Sequence, residues 1–501
     1  MVCLAGIDVG TTGTKVTIYD DKGTKLDSGY SEYALSYPHP FEVEIDPFIW
    51  WKAVCTSFQE IFSRKLVRPE DIKGIGVSST NALVLLNHAG SPVMPAIMQL
   101  DQRASKLIEK IKSDIGEEYI HKVTKNRLAS GAYWGPTLLW LRQEREHELP
   151  KIAHFLTPHS FITYQLTGEY TIDHSRASTT MLYDAEKGEW DPLLCSYFGV
   201  DLDLLPPICN PTEIAGSLSK EASIQTGLAE GTPVIAGCMD SLAGHIGIGA
   251  TGGAASLILG SVGRICFNTA QCDQRFMNVK NSIQSSMFSM TPTNGTGISY
   301  KWIKDLLFEP TAKDRTDIYQ YMDELGASSP VGARGLIYHP YISGERSPIW
   351  DPTATGSFFG LKINHKREDL IRSVLEGVGY SIAHNYKIIK EELEFEFDSF
   401  HASGGGARSE TWLQILADIL GVPIKTTVNA DSETLGMAIL TGAAIGVYSS
   451  VEEGMETTVR FKGTYEPDRY ATQKYQDYLN AYIQIYENNK NFYKQLSRLL
   501  Y

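Results

Sequence analysis

Apolar residues occupy positions 2–7, and Thr14-Lys15-Val16-Thr17-Ile18-Tyr19 then alternates polar with apolar before Asp20-Asp21-Lys22-Gly23. A continuous apolar run followed by a period of two predicts a strand, a tight glycine turn and a returning strand that ends in a further turn. From Pro47 the period changes: Ile49, Trp50, Val54, Phe58, Ile61 and Phe62 recur at helical spacing. A helix follows the strands.

The opening pattern recurs near residue 254. Ala254-Ala255-Ser256-Leu257-Ile258-Leu259 runs into Gly260-Ser261-Val262-Gly263 and then Arg264-Ile265-Cys266-Phe267. Two related domains, joined near residues 246–253, are therefore expected. Leu370 to Ile389, Trp412 to Leu420 and Tyr475 to Tyr486 each carry apolar residues at helical spacing, the last as a docked terminal helix. No low-complexity linker interrupts the chain.

At 501 residues the chain exceeds one ordinary core. Its 43% hydrophobic and 21% charged residues are those of a soluble globular protein. No basic segment precedes the first apolar run, and no stretch reaches the roughly 18 apolar residues of a membrane span, so a cytoplasmic location without membrane contact is expected. Seven scattered cysteines without a CxxC pair read as free thiols. A net charge of −14 without a Lys/Arg run opposes binding to nucleic acid.

Three segments could carry chemistry. In Asp8-Val9-Gly10-Thr11-Thr12-Gly13-Thr14-Lys15, the glycines let backbone N–H groups and the threonine hydroxyls converge on phosphate oxygens. Asp8 could hold Mg²⁺, which prefers carboxylate, water and phosphate oxygens; a polar hairpin loop is the alternative. Val234 to Gly244 delivers Asp240 from an apolar strand to a glycine-flanked turn, where a carboxylate could accept a hydroxyl proton or simply cap a helix. Ser403-Gly404-Gly405-Gly406-Ala407-Arg408-Ser409 precedes a helix; it suits a nucleotide, or is a turn with Ser409 as cap. Gly247 to Gly252 matches GxGxxG, but it follows a helix and precedes a strand, the reverse of the dinucleotide order. A GxxxxGK[ST] loop and an HExxH motif are absent from the sequence.

Taken together, these segments resemble the FGGY family of carbohydrate kinases, in order along nearly the whole chain. The matching stretches are DVGTTGTK at 8–15, LDQRA at 100–104, AGCMD at 236–240 and LILGSVG at 257–263. YISGERSPIWDPTATGSFFGL at 341–361, LEGVGYSI at 375–382 and SGGGARSETWLQILADILGVPI at 403–424 complete the series. The resemblance implies an α/β fold of two actin-like, ribonuclease-H-like domains flanking a catalytic cleft. An N-terminal domain would span 1–247 and a C-terminal domain 248–501.

It further implies ATP and Mg²⁺, with Asp240 as catalytic base and Asp8 as the acid that places the Mg-nucleotide. Thr11, Thr12 and Gly13 match the first phosphate loop, and Gly260 and Ser261 the second. Gly297 matches a glycine that approaches the nucleotide, while Gly405 and Ser409 fall in the adenosine motif. Asp101 and Arg103 match polar residues near the sugar. The xylulokinase branch carries a loop resembling SGQMHG where this chain has Ser78-Ser79-Thr80-Asn81-Ala82-Leu83, and the Arg-Glu pair of the glycerol kinase pattern is also absent. Thr80 and Asn81 could still hydrogen-bond hydroxyls.

The expected activity is phosphorylation of a small sugar, a ketopentose such as xylulose first, with gluconate or a polyol as the alternative. Outside that class stand a nucleotide-driven conformational machine and a catalytically idle sugar sensor. The expected partner is a small-molecule sugar or polyol, with a homodimer left open.

Overall fold

A computed structural model describes residues 2–308 and 318–499. The first sheet grows outward from the buried strand Cys3–Val9. That strand pairs antiparallel with Gly13–Asp20, which pairs antiparallel with Lys25–Glu32. On its other side it runs parallel to Ile72–Ser79, which is parallel to Pro233–Ile235, and antiparallel Ile214–Ser217 closes the edge.

The second sheet repeats this plan. Ala254–Leu259 pairs antiparallel with Gly263–Thr269, which pairs antiparallel with Ser286–Met290. On the other side it is parallel to Ser399–Ser403, which is parallel to Ile424–Thr427, with antiparallel Phe461–Tyr465 at the edge. The recurring strand–turn–strand pattern in the sequence is thus the visible part of a repeated fold, and each copy's first turn carries one of the glycine loops.

Helix Pro47–Ser63 starts where its residues dictate, with Asp46 accepting from the Phe48 amide at 3.0 Å and Pro47 in the first turn. In the second half, Arg367–Glu392, Glu410–Leu420 and the terminal helix Arg469–Ser497 enclose one apolar cluster in which Tyr475 and Tyr482 are fully buried. No helix among the described residues is long and apolar enough to cross a membrane. The seven cysteines are free thiols.

The halves meet through two helices, Asp240–Gly247 and Ser432–Ala444. The second follows strands of the C-terminal sheet yet packs on the strand Cys3–Val9 of the N-terminal one. Glycines make this possible. A Cβ on Gly436 would overlap the Ala243 carbonyl, one on Gly247 the Ser432 carbonyl, and one on Gly6 the Thr434 carbonyl. Asp431, just before the helix, pairs with Lys15 at 2.5 Å and Lys25 at 2.8 Å.

Gly436→Ala tests this contact, because alanine normally favours a helix over glycine by about 1 kcal/mol. Here the methyl group overpacks a backbone contact, and the expected result is a loss of about 1–3 kcal/mol, read as a lowered thermal unfolding midpoint. A raised midpoint would show that the helices do not touch at this position.

Candidate active site

The N-terminal part of the site lies at the carboxyl ends of adjacent parallel strands. Cys238–Met239 pairs with Ser78 and Ser79 at the end of Ile72–Ser79, and Ser78 in turn pairs with Asp8. Neighbouring strands therefore set Asp8 and Asp240 at one sheet end. Asp8 accepts from the Ser78 hydroxyl at 2.9 Å. Asp240 is the first residue of its helix rather than its cap; it accepts from the Ser241 amide at 2.6 Å and hydroxyl at 3.0 Å. Its side chain remains 28% exposed, which leaves it open to a ligand.

The first loop is held by its neighbours. The Gly10 amide donates to the Gly13 carbonyl at 2.9 Å, and the Tyr33 hydroxyl to the Gly10 carbonyl at 2.8 Å. Gln99 donates to Thr11 Oγ1 at 3.1 Å and to Thr80 Oγ1 at 2.6 Å, tying the loop to the 78–83 segment. Thr12 is exposed and Gly13 buried. Asn81 donates to the Ala132 carbonyl at 2.9 Å. The amide oxygens of Asn81 and Gln99 are buried without a hydrogen-bond partner.

Asp101 and Arg103 are brought to each other. Arg103 donates to Asp101 at 2.8 Å and to Glu44 at 2.7 Å, its guanidinium lies 4.8 Å from the centre of the Trp140 ring, and Asp101 also accepts from the Val43 amide at 2.7 Å. These groups have protein partners before any sugar arrives.

The second loop closes through Gly260, whose amide donates to the Val262 carbonyl at 3.1 Å; its own carbonyl accepts from the Gly297 amide at 2.9 Å. A cavity of about 920 Å³ opens beside it, and Gly260, Ser261, Gly297, Gly405 and Ser409 all line it. Ser409 also caps helix Glu410–Leu420, accepting from the Trp412 amide at 3.0 Å, so the cap role and the cavity role coexist. Tyr300, Asp323 and Trp412 add to the lining; the Tyr300 hydroxyl donates to Asp323 at 2.7 Å.

Charge is crowded at the sheet end that carries Asp8 and Asp240. Burial and the charges of Glu433 and Asp240 push the Asp8 carboxyl well above its ordinary range. Burial, with the Asp240 charge, also raises Glu433, the second residue of helix Ser432–Ala444. Arg176 faces this acidity, with Nη2 3.6 Å from Asp240 and donating to the Ser79 carbonyl. Gln99, Arg176 and Glu433 carry no local sequence signal, since each reaches the site over a long sequence separation.

The FGGY carbohydrate kinase N-terminal domain model matches residues 3–247, and the C-terminal domain model of the same family matches residues 275–445. The chain belongs to the FGGY family of carbohydrate kinases. This FGGY kinase is 28% identical over 491 residues to a protein named xylulose kinase from Staphylococcus epidermidis, covering 97% of this chain and 96% of the relative. It is also 28% identical over 507 residues to a gluconokinase from Bacillus subtilis, covering 99% and 97%.

Among solved structures, a ligand-bound xylulose kinase from Lactobacillus acidophilus superposes with a TM-score of 0.92 at 25% identity, over 99% of this chain and 100% of that one. A gluconate kinase from the same organism gives 0.91 at 25% identity, over 99% of each chain. The FGGY kinase thus has the two-domain actin-like α/β fold that its motifs imply. It is a sugar phosphotransferase that uses ATP.

One buried acid of this kinase supplies a pH test. Glu345 accepts from the Asn294 amide at 2.6 Å and the Arg346 amide at 2.8 Å, and so braces the segment that leads to Gly297. Burial pushes its carboxyl from about 4.5 up to about 7. Between those values the folded state retains a proton that the unfolded chain has lost. The stabilising contribution is complete below about 4.5 and disappears as pH rises through about 7. In urea melts across this window, the difference between wild type and Glu345→Gln should shift steadily in favour of the variant; a pH-independent difference would refute the assignment.

Proposed function

We propose that this kinase transfers the γ-phosphoryl group of ATP to a hydroxyl of a ketopentose such as xylulose, with Asp240 as general base. The observation that carries the reading is that Asp8 and Asp240 stand at one sheet end, Asp8 directly before the first glycine loop, while the second glycine loop lines a large cavity of its own. A hydroxyl placed at Asp240 could pass its proton to that carboxylate while its oxygen attacks the γ-phosphorus in line. Thr11, Thr12 and Gly13 on one side, and Gly260 and Ser261 on the other, would bind phosphate oxygens through backbone and hydroxyl donors. Gly297, Gly405 and Ser409 would frame the adenosine, where Gly405 offers a bare backbone.

Thr80 and Asn81 would contact the sugar hydroxyls, with Asp101 and Arg103 as a prearranged pair at the same end. Asp8 would hold Mg²⁺ as one ligand among phosphate and water oxygens. No group of three or more His, Cys, Asp or Glu among the described residues forms a preformed metal cage, which suits an ion that arrives on the nucleotide. The bound ion would neutralise phosphate charge and relieve the repulsion at Asp8. Domain closure would exclude water as a competing acceptor, about the 246–253 segment between the N-terminal (1–247) and C-terminal (248–501) domains.

Gluconate or another sugar acid is the second reading. Gluconokinases match as fully as xylulose kinases, and the Arg176 guanidinium beside Asp240 could receive a carboxylate. An ADP-release assay against ketoses, polyols and sugar acids tests both readings. Stimulation by a ketopentose is expected, with Asp240→Asn lowering kcat by at least about a hundredfold while leaving the unfolding midpoint near wild type. Stimulation by gluconate alone would replace the substrate, wild-type turnover by Asp240→Asn would remove the base, and no stimulation by any compound would favour a sugar sensor.

A further inference from the structure

Arg176, Lys15 and Arg264 lie around the crowded carboxylates, with Arg346 beside Arg264, and three of these four cations are engaged. Arg176 is held by the Ser79 carbonyl and Asp240, Arg346 donates to Asn294 at 2.7 Å, and Lys15 pairs with Asp431 at 2.5 Å. The Arg264 side chain forms no hydrogen bond or ion pair among the described residues, and its Nε is buried without a partner. A half-buried guanidinium left in that state forgoes stabilisation that a charged partner would supply.

The sheet fixes where this side chain points. Arg264 follows the second glycine loop directly and lies opposite Ile258 in the antiparallel register, so the two share a face. Cys266, two residues further along, is on that face too. Ile258 and Cys266 pack in the cluster that contains Met239 and Leu242, which flank Asp240 in the sequence. Arg264 therefore projects from the C-terminal lobe towards the carboxylates of the other side. Its charge partly offsets the burial that raises Glu433, and adds to the burial that lowers Arg346.

We propose that Arg264 binds the γ-phosphoryl group of ATP and carries the charge that develops there during transfer. The proposal rests on the kinase reading above. As the acceptor oxygen bonds to the γ-phosphorus, the bond to the bridging oxygen breaks, and its electron pair leaves on the β-phosphate. The acceptor proton passes to Asp240. Negative charge on the three equatorial oxygens then needs a donor already in place, and a guanidinium offers a planar fork that suits phosphate. Three neighbouring carboxylates would otherwise repel the triphosphate, so an unpaired cation beside the loop acts where the field is least favourable.

The test compares binding of ADP with binding of a β,γ-methylene ATP analogue to wild type, Arg264→Gln and Arg264→Lys, together with kcat and KM for whichever acceptor stimulates ADP release. Arg264→Gln should bind the analogue at least about tenfold more weakly, and ADP within about twofold of wild type. Its kcat should fall by about 10²–10³, with little change in the acceptor KM, and Arg264→Lys should recover part of the loss. Unchanged ADP affinity doubles as the control for folding. Equal weakening of both nucleotides, analogue binding like that of wild type, or kcat restored by adding Glu433→Gln would each overturn the proposal. The binding arm needs no acceptor, so failure of the substrate assignment leaves it readable.

Discussion

Helices Asp240–Gly247 and Ser432–Ala444 approach until backbone meets backbone, and the rest of the molecule is arranged around that contact. Close approach of this kind requires residues without a Cβ at the crossing, and Gly247 and Gly436 supply it from the two partners. The same contact aligns the chemistry. Asp240 opens one helix and Glu433 lies in the first turn of the other, so the packing that joins the lobes also sets their carboxylates near each other. Gly6 extends the arrangement to the first strand, whose end carries Asp8.

An acidic cluster at the junction has an electrostatic cost, visible in the raised Asp8 and Glu433 carboxyls. Behind Asp240 the protein answers with a buried polar shell. Arg176 is the cation in contact with it, and burial together with the Arg176 charge depresses His159 well below the usual imidazole range, leaving that ring neutral. His159 Nδ1 lies 2.9 Å from the Thr157 hydroxyl, and its backbone amide donates to Ser79 at 3.1 Å. This packing holds the segment that bears Thr80 and Asn81, which is supported from beneath rather than left as a free loop.

The cavity beside the second loop is built differently. Bare glycines at 260, 297 and 405 expose backbone, and Tyr300 and Trp412 supply apolar surface next to them. A flat heterocycle with a charged tail needs that combination, since rings bury apolar area while phosphates take N–H donors. The helix that follows Gly405 is anchored by its own Ser409 cap, so the element that shapes the cavity is stabilised locally.

Local periodicity and the glycine positions made the strand–turn–strand units, the long helices and the glycine turns legible from the residues alone, because each depends on contacts a few positions apart. The ordered motifs then identified the family, and with it the expected acids at 8 and 240. What the linear pattern could not reveal depends on residues far apart along the chain. Gln99 reaches Thr11, Arg176 reaches Asp240, and Glu433 reaches the strand end more than four hundred residues before it. The unpaired state of Arg264 is likewise a property of the space around it. Sequence determined the elements and the class of chemistry through local hydrogen bonding and hydrophobic period; tertiary structure decided which charges confront one another, because Coulomb and desolvation energies depend on distance and burial and not on order along the chain.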